Sequence, residues 1–294
     1  MKKSKRKLSL IIFSALSALF VAELVHSNLF LKTTEYNLKS DRIENKIKIV
    51  LISDLHNKEY GTDNSELVNK IKEQQPDFIA VAGDMVTRNY INDDIMKSLL
   101  TKISKIAPVY CCLGNHERDI ADKIDFKSDI TACGATLLDN ESTIFTTKGG
   151  DKILIGGMSD FPFYEYDAPD YDTPEAHFWE KFKTDSENCY SVLLHHQPEY
   201  IKDIVGTSKI DLVLCGHTHG GLVQIPFVGG VIVPNQGLFP QYDKGEFLFD
   251  NTTMIISAGL GVSNPVPRFN NQPEICVINI TKGNSWRNCP FMLA

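Results

Sequence analysis

A chain of 294 residues with 43% hydrophobic side chains is long enough for one large domain or two small ones around a sizeable core. Its formal net charge of -7, with no basic face after residue 7, argues against a general nucleic-acid binder. Seven cysteines, an odd number without regular spacing, do not suit an exported disulfide scaffold, and Cys111, Cys112 and Cys215 fall in apolar runs that predict buried thiols.

The N-terminus is unlike the rest. Lys2, Lys3, Lys5, Arg6 and Lys7 precede an apolar run over 8–22, broken by Glu23 and resumed at Leu24 and Val25. That pattern is a signal peptide or an uncleaved signal anchor. No Ala-x-Ala site follows, and Val25-His26-Ser27 is a poor substitute, so the anchor is favoured. The positive-inside rule then keeps residues 1–7 in the cytoplasm and sends the remainder outside. The expected organisation is a basic cytoplasmic tail over 1–7, a single-pass anchor over 8–26 and a polar linker over 27–45. One domain over 46–282 and a C-terminal tail over 283–294 follow.

Within the domain, apolar runs at 47–52, 78–82 and 109–113 read as buried strands. Between them lie helical spacings over 64–75, where Leu67, Val68 and Ile71 form a stripe, and over 93–106, with Ile95, Leu99, Ile103 and Ile106 on one face. A third helix is expected over 119–133. Alternation of this kind implies parallel strands with helical crossovers. Short strands follow at 136–139, 142–147 and 152–156, around the Gly149-Gly150 turn. Residues 173–184 predict a helix with Thr173 as its cap and Pro174 at its first position. Further strands are expected at 192–194, 212–215, 247–249, 254–257 and 275–280. The sum is an α/β fold of two packed mixed sheets with helices outside.

Five short motifs stand at the ends of predicted strands: Asp54-Leu55-His56, Gly83-Asp84, Gly114-Asn115-His116-Glu117, His196-Gln197-Pro198 and Gly216-His217-Thr218-His219. A strand end lets a rigid sheet present a ligand on the first residues of a loop. Asp and Asn oxygens mixed with neutral imidazoles suit divalent ions such as Mn, Fe, Zn or Mg. Five of the eight histidines fall in these motifs. His26 belongs to the anchor flank, His177 reads as a surface residue, and His195 reads as packing on the other face of its strand.

Taken in this order, the motifs resemble the calcineurin-like metallophosphoesterase superfamily, over roughly residues 46–280. The resemblance implies an α/β/β/α sandwich and two divalent metal ions. By it, Asp54, His56 and His219 hold one ion, Asn115, His196 and His217 hold the other, and Asp84 bridges both. It also implies hydrolysis of phosphate mono- or diesters by a hydroxide held between the ions. His116 is assigned to proton delivery and oxyanion stabilisation. Two departures stand out. Relatives often carry an acid three positions after the bridging Asp to support the catalytic His, and here that position is Thr87, which leaves a backbone carbonyl as a candidate support. Relatives also carry two adjacent acids where this chain keeps only Asp160, which is either a rim residue or part of a plain turn.

The stretch after His219, with Gly220-Gly221, Pro234-Asn235-Gln236-Gly237, Ser257-Ala258-Gly259 and Pro267-Arg268-Phe269, is similar to a membrane-associated bacterial branch. That branch includes YkuE-type phosphoesterases and some UDP-2,3-diacylglucosamine hydrolases. Gly220 and Gly221 either fold a loop over the site or make ordinary turns. Arg268 is either a phosphate-binding guanidinium or a surface salt-bridge partner. The aromatic residues Phe161, Phe163, Tyr164, Tyr166 and Tyr171 line a pocket, lie on a bilayer or cover a sheet face. The leading expectation is therefore an anchored phosphoesterase acting outside the membrane on a phosphoester, lipid- or cell-wall-linked, with no nucleic acid and no obligate protein partner. The alternative is a hydrolase that cleaves the pyrophosphate of a nucleotide-linked glycolipid. A metal-binding scaffold without catalysis is disfavoured by the complete set of site residues.

Overall fold

The computed structural model describes residues 2–159, 173–205, 208–234, 236–263 and 266–283. Helix α1 (Lys2–Leu29) leads into strand β1 (Lys32–Ser40) and then β2 (Ile47–Ile52). Helix α2 (Ser65–Gln74), β3 (Phe78–Ala82), α3 (Asp94–Ile103), β4 (Val109–Cys112), α4 (Asn115–Arg118), α5 (Phe126–Ala132) and β5 (Thr136–Leu137) complete the first half. The second half holds β6 (Glu141–Thr146), β7 (Lys152–Gly157), α6 (Pro174–Asp185), β8 (Tyr190–Leu194), α7 (Pro198–Val205) and β9 (Leu212–Cys215). Two short ribbons, β10 (Gln224–Ile225) with β11 (Gly229–Gly230) and β12 (Ile232–Val233) with β13 (Gly237–Leu238), precede β14 (Gly245–Phe249), β15 (Thr252–Ile256) and β16 (Glu274–Lys282).

Two mixed sheets result, ordered β1-β16-β2-β3-β4-β5 and β14-β15-β9-β8-β7-β6. Strands β2 to β5 are parallel, as are β7, β8, β9 and β15. The central strands are apolar on both faces because both faces are covered. Ile49, Leu51, Phe78 and Ala80 point to the other sheet and pack with Ile155, Val192, Leu194 and Leu214. Val50, Ile52, Ile79 and Val81 point the opposite way, against Leu67 and Ile71 of α2 and Leu99 and Ile103 of α3. On the far side, Leu193 and Val213 pack with Phe178 and Phe182 of α6 and Ile201 and Val205 of α7. Period-two alternation along each strand thus sorts one run of apolar residues into two layers, which gives the expected four-layer α/β/β/α sandwich.

Helix α6 opens as its sequence predicts: Thr173 Oγ1 accepts from Ala176 N at 3.2 Å, and Pro174 occupies the first turn. The helix expected over 119–133 is shorter, because Asp125 accepts from Ser128 N and starts α5 afresh after a turn. The larger correction concerns residues 27–45. Instead of a linker, residues 32–40 form β1, paired in parallel with β16 from Lys32 opposite Glu274 to Ser40 opposite Lys282. Its polar composition is that of an edge strand with one face to water, and only Leu38 and Ser40 are buried. Residues 160–172, which include Asp160 and the aromatic cluster, lie outside the described residues, as do residues 284–294 of the expected tail.

A fragment starting at residue 46 therefore loses a sheet strand, whereas one starting at residue 30 keeps it. The 46–294 fragment is expected to melt well below the 30–294 fragment, or to precipitate on expression, in a circular-dichroism comparison. Equal melting of the two would show that β1 contributes nothing.

Candidate metal centre

The loops that leave β2, β3, β4, β8 and β9 meet at one end of the two sheets. Backbone bonds lace them together: Asp54 N donates to Gly83 O at 3.0 Å, His56 N to Asp84 O at 3.1 Å and Gly216 N to His196 O at 3.1 Å. The sheets are joined by His217 N, which donates to Asp54 Oδ1 at 3.0 Å. The chain turns sharply here. Asp54, His56, Asp84, His217 and His219 have φ of 53°, 49°, 54°, 70° and 50°, in the left-handed region that L side chains avoid. Each such residue costs on the order of 1 kcal/mol and persists only where its surroundings hold it. Close approach also requires Gly114, since a Cβ there would lie 2.3 Å from Asp84 Oδ1. Gly221, at φ 67°, similarly lets its loop pass against Gly230, 2.6 Å from the would-be Cβ.

Asp54 Oδ1 lies 3.7 Å from His219 Nε2 and 4.0 Å from His56 Nε2, and the two imidazole nitrogens are 3.3 Å apart. Asp84 Oδ2 sits 3.8 Å from His56 Nε2, 3.2 Å from His196 Nε2 and 3.9 Å from His116 Nε2. Three groups of ligand atoms converge, each within 4.8 Å: Asp54, His56 and His219; His56, Asp84 and His116; and Asp84, His196 and His217. Asn115 is buried on the same loop cluster, and its Oδ1 has no hydrogen-bond partner. Asp84 is common to the second and third groups.

Charge and tautomer are set by the surroundings. His56 Nδ1 lies 3.2 Å from Val86 O and His196 Nδ1 lies 2.7 Å from Ala82 O. A carbonyl only accepts, so each Nδ1 carries a proton; in the neutral ring Nε2 turns a lone pair into the cluster, and a His196 protonated on both nitrogens pairs with Asp84. Burial pushes the His56 imidazolium pKa down to about 3 and that of His219 well below its ordinary value, which keeps both rings neutral. Burial pushes Asp54 upward. For Asp84 burial acts in the same direction, but the imidazoles around it, His196 foremost, prevail and hold it well below the usual carboxylate range. Two buried carboxylates, inward lone pairs and an unpartnered amide oxygen fit divalent cations.

His116 is placed as the sequence predicts, beside the cluster, but its support is different. Its Nδ1 accepts from Arg88 N at 3.1 Å, where a backbone carbonyl was the expected partner. The acceptor role fixes the proton of the neutral ring on Nε2, which faces Asp84. Burial, opposed in part by Asp84, lowers its pKa. Thr87 thus leaves orientation of this ring to the following backbone amide.

Two carboxylates were given no role by the sequence. Glu117 accepts from Asp84 N and Gly114 N through Oε2, each at 2.8 Å, and from Val86 N through Oε1 at 3.0 Å. It pins the Asp84 loop to the Asn115 loop, and burial followed by the charge of Asp84 raises its pKa to about 7. Its place as the fourth residue of the Gly114 motif was the available signal. Glu199 Oε1 stands 3.3 Å from His217 Nε2, a close carboxylate–imidazole contact beside the cluster. It lies three residues after His196, in the first turn of α7.

Arg268 requires a correction on both expected roles. It is 1% exposed, so it forms no surface pair. Its Nη2 donates to Ala258 O and Gly261 O, each at 2.7 Å, behind the Asp54 loop, so the guanidinium is spent on backbone carbonyls rather than offered to a phosphate. Such a role depends on a fold that leaves carbonyls unpaired, and nothing local in the sequence announces it. His195 is fully buried and stays neutral, its pKa lowered by burial to about 4, and His177 is exposed on α6. Cys111, Cys112 and Cys215 are buried free thiols as expected.

Linked His/Asp groups, two of them sharing one carboxylate, at the mouth of two packed mixed sheets, define a metallophosphoesterase. Residues 47–221 match the calcineurin-like phosphoesterase family, and the chain belongs to it. Members of this family use two divalent metal ions, and the enzyme is a metal-dependent phosphoric ester hydrolase. The chain is 30% identical over 261 residues to the metallophosphoesterase YkuE of Bacillus subtilis, covering 86% of this chain and 87% of that one. To the phosphodiesterase YaeI of Escherichia coli it is 26% identical, covering 79% and 82% of the two chains. Its fold is shared with TT1561 of Thermus thermophilus, with a TM-score of 0.50 at 10% identity over 73% of this chain and 90% of that one.

Removing metal should leave the buried carboxylates without counter-charge. Dialysis against a chelator is expected to lower the melting temperature, and saturating Mn to restore it by about 2–3 kcal/mol at 100 times the dissociation constant. Glu117→Gln places an amide donor against backbone donors, costs about 1–3 kcal/mol and lowers bound metal. Full metal content by plasma emission spectroscopy in that variant would show that the clamp is dispensable.

Proposed function

We propose that this chain is a membrane-anchored phosphoesterase that hydrolyses phosphate mono- or diesters on the outer side of the membrane. The observation that carries the reading is a chain of three converging ligand groups, in which His56 links Asp54 and His219 to Asp84 and Asp84 links His56 and His116 to His196 and His217. In this reading Asp54, His56 and His219 hold one divalent ion, and Asn115, His196 and His217 hold the other. Asp84 bridges them. When bound, the ions polarise the phosphoryl oxygens and make water nucleophilic at neutral pH.

The chain's own residues do the rest. Asn115 contributes oxygen without charge, which limits the negative field that an anionic phosphate must enter. The carbonyls of Val86 and Ala82 hold the His56 and His196 imidazoles in the orientation that binding needs. His116 presents Nε2–H to the cluster, so its neutral ring donates a hydrogen bond to charge that develops on the phosphoryl or leaving oxygen. Proton delivery from this ring would first need a proton on Nδ1, where the Arg88 amide opposes it. Oxyanion stabilisation is therefore the role the geometry favours.

The membrane assignment rests on α1. Residues 5–29 have a mean hydropathy of 2.3 in their best window, none of it buried inside the protein. The basic residues at 2, 3 and 5–7 orient it with the catalytic domain outside. Ser27 supports an uncleaved anchor, because it is buried and its Oγ donates to Glu23 Oε1 at 2.6 Å and accepts from Asn271 N at 3.3 Å, contacts that cleavage after Val25-His26-Ser27 would remove.

With Mn added, the full chain in detergent is expected to hydrolyse bis-p-nitrophenyl phosphate or p-nitrophenyl phosphate. Asp84→Asn should abolish turnover and lower metal content. His116→Ala should lower turnover by about 10²–10³-fold, the scale of one lost oxyanion donor, with metals still bound. A His116→Ala protein that loses its metals would instead make His116 a ligand. Preference for a UDP-linked acylated sugar over both simple esters would replace this reading with the glycolipid pyrophosphatase.

A further inference from the structure

The stretch between His219 and Asp243 serves no purpose in the catalytic reading. Residues 220–242 contain no Asp, Glu, Lys or Arg, although charged residues make up 23% of the chain. They form the two ribbons β10–β11 and β12–β13, and most of their large apolar side chains face outward while Val233 is buried beneath them. Phe227 is 109% exposed, and Val228, Ile232, Leu238 and Phe239 are each at least half exposed. A continuous apolar patch of this kind marks an interaction surface.

The ribbons are fastened to the N-terminal helix. Phe269 N donates to Leu222 O at 3.1 Å, and Gln224 N donates to Phe269 O at 3.0 Å. The Phe269 ring stacks on Phe20 with centroids 5.1 Å apart. Phe20 lies nine positions before Leu29, about 13 Å back along the helix axis at 1.5 Å per residue, and inside the apolar span. The helix end is equally fixed: Arg268 N donates to Asn28 Oδ1 at 3.0 Å, and Lys58 Nζ donates to Asn28 O at 3.0 Å. A domain held this way cannot stand off from its anchor. A ring that touches Phe20 sits where the anchor enters the bilayer, and the ribbons lie beside it.

We propose that the β10–β11 and β12–β13 ribbons, with Phe269, are a second membrane-docking surface that inserts into the headgroup layer of a lipid bilayer. The proposal rests on the anchor reading above. Aromatic and aliphatic side chains on a stretch that carries no charged residue of its own are the composition that interfacial insertion favours, and the neighbouring Asp243 carboxylate is taken up by Gly230 N at 2.7 Å and Gln224 Nε2 at 2.8 Å. The surface is continuous with the metal centre, because His219 heads the same stretch and its carbonyl accepts from Asn271 Nδ2 at 2.7 Å. Docking therefore brings the metal centre alongside lipid headgroups, and the phosphoesters within its reach are those of bilayer-embedded amphiphiles.

The test uses the full chain in liposomes of brominated phosphatidylcholine, with single tryptophans introduced by substitution. Phe227→Trp and Phe239→Trp report on the ribbons, and Phe13→Trp on the anchor. Ile144→Trp is the control, on β6 at the sheet edge opposite β14. After subtraction of the native emission, the added signal at Phe13, Phe227 and Phe239 should fall at least twofold relative to unbrominated lipid, with no change at Ile144. Quenching at Phe13 without quenching at Phe227 and Phe239 overturns the docking surface and leaves the anchor standing. Absence of quenching at Phe13 defeats the anchor, and the docking proposal with it. Because Phe227 makes no buried contact, its replacement poses no folding problem.

Discussion

Two carboxylates buried among neutral imidazoles are the constraint around which this molecule is arranged. Asp54 and Asp84 are both essentially inaccessible, and burial keeps the His56 and His219 rings beside them neutral. In a low-dielectric interior such a cluster is costly unless cations compensate it. The protein cannot relax the cluster by exposing it, because each ligand residue sits at the end of a strand buried on both faces. The left-handed backbone at five of these residues adds to the cost. Binding of divalent ions is the event that turns this unfavourable polar centre into a stable one, so metal affinity and folding are coupled.

The sandwich supplies the rigidity. Parallel β2, β3 and β4 bring three loops to one edge of the first sheet, and β8 and β9 bring two more from the second. Neither sheet holds a complete site. The amide of His217 bonds to Asp54 across the gap, so packing between the sheets sets the distance between ligands. Glu117 does the same within the first sheet by gripping three amides from two loops. Removal of a ligand and removal of a clamp therefore perturb the same geometry by different routes.

The N-terminal helix belongs to this arrangement more closely than a tether would. Asn28 is bonded to Arg268, and Arg268 supports Ala258 and Gly261 behind the Asp54 loop. Asn271, three residues on, donates its backbone amide to Ser27 Oγ and holds the His219 carbonyl through its side chain. One polar seam thus runs from the end of the apolar helix to a ligand residue. Strand β1 continues directly from the helix into the first sheet, which leaves no free linker between the apolar helix and the catalytic domain.

The class of protein was legible in the chain alone, and so were the motif residues that the fold brings together at the strand ends. Ligand chemistry is a property of residue type, and continuous apolar runs mark strands buried on both faces, so a motif placed just after each run could be read without coordinates. Helix α6 was equally plain, because a Thr-Pro cap is a local signal. The remainder depended on segments far apart in the chain and emerged only on folding. β1 looked like a linker because an edge strand stays polar and its partner lies some 240 residues away. Arg268 looked like a phosphate ligand because a guanidinium's partners, here backbone carbonyls in a distant loop, are not written next to it. Glu117 and Glu199 stood beside recognised motifs, yet the clamp made by the one and the His217 contact of the other became visible only once the loops had met. Local chemistry is carried by residue identity, while satisfaction of buried polar groups is a property of the assembled fold.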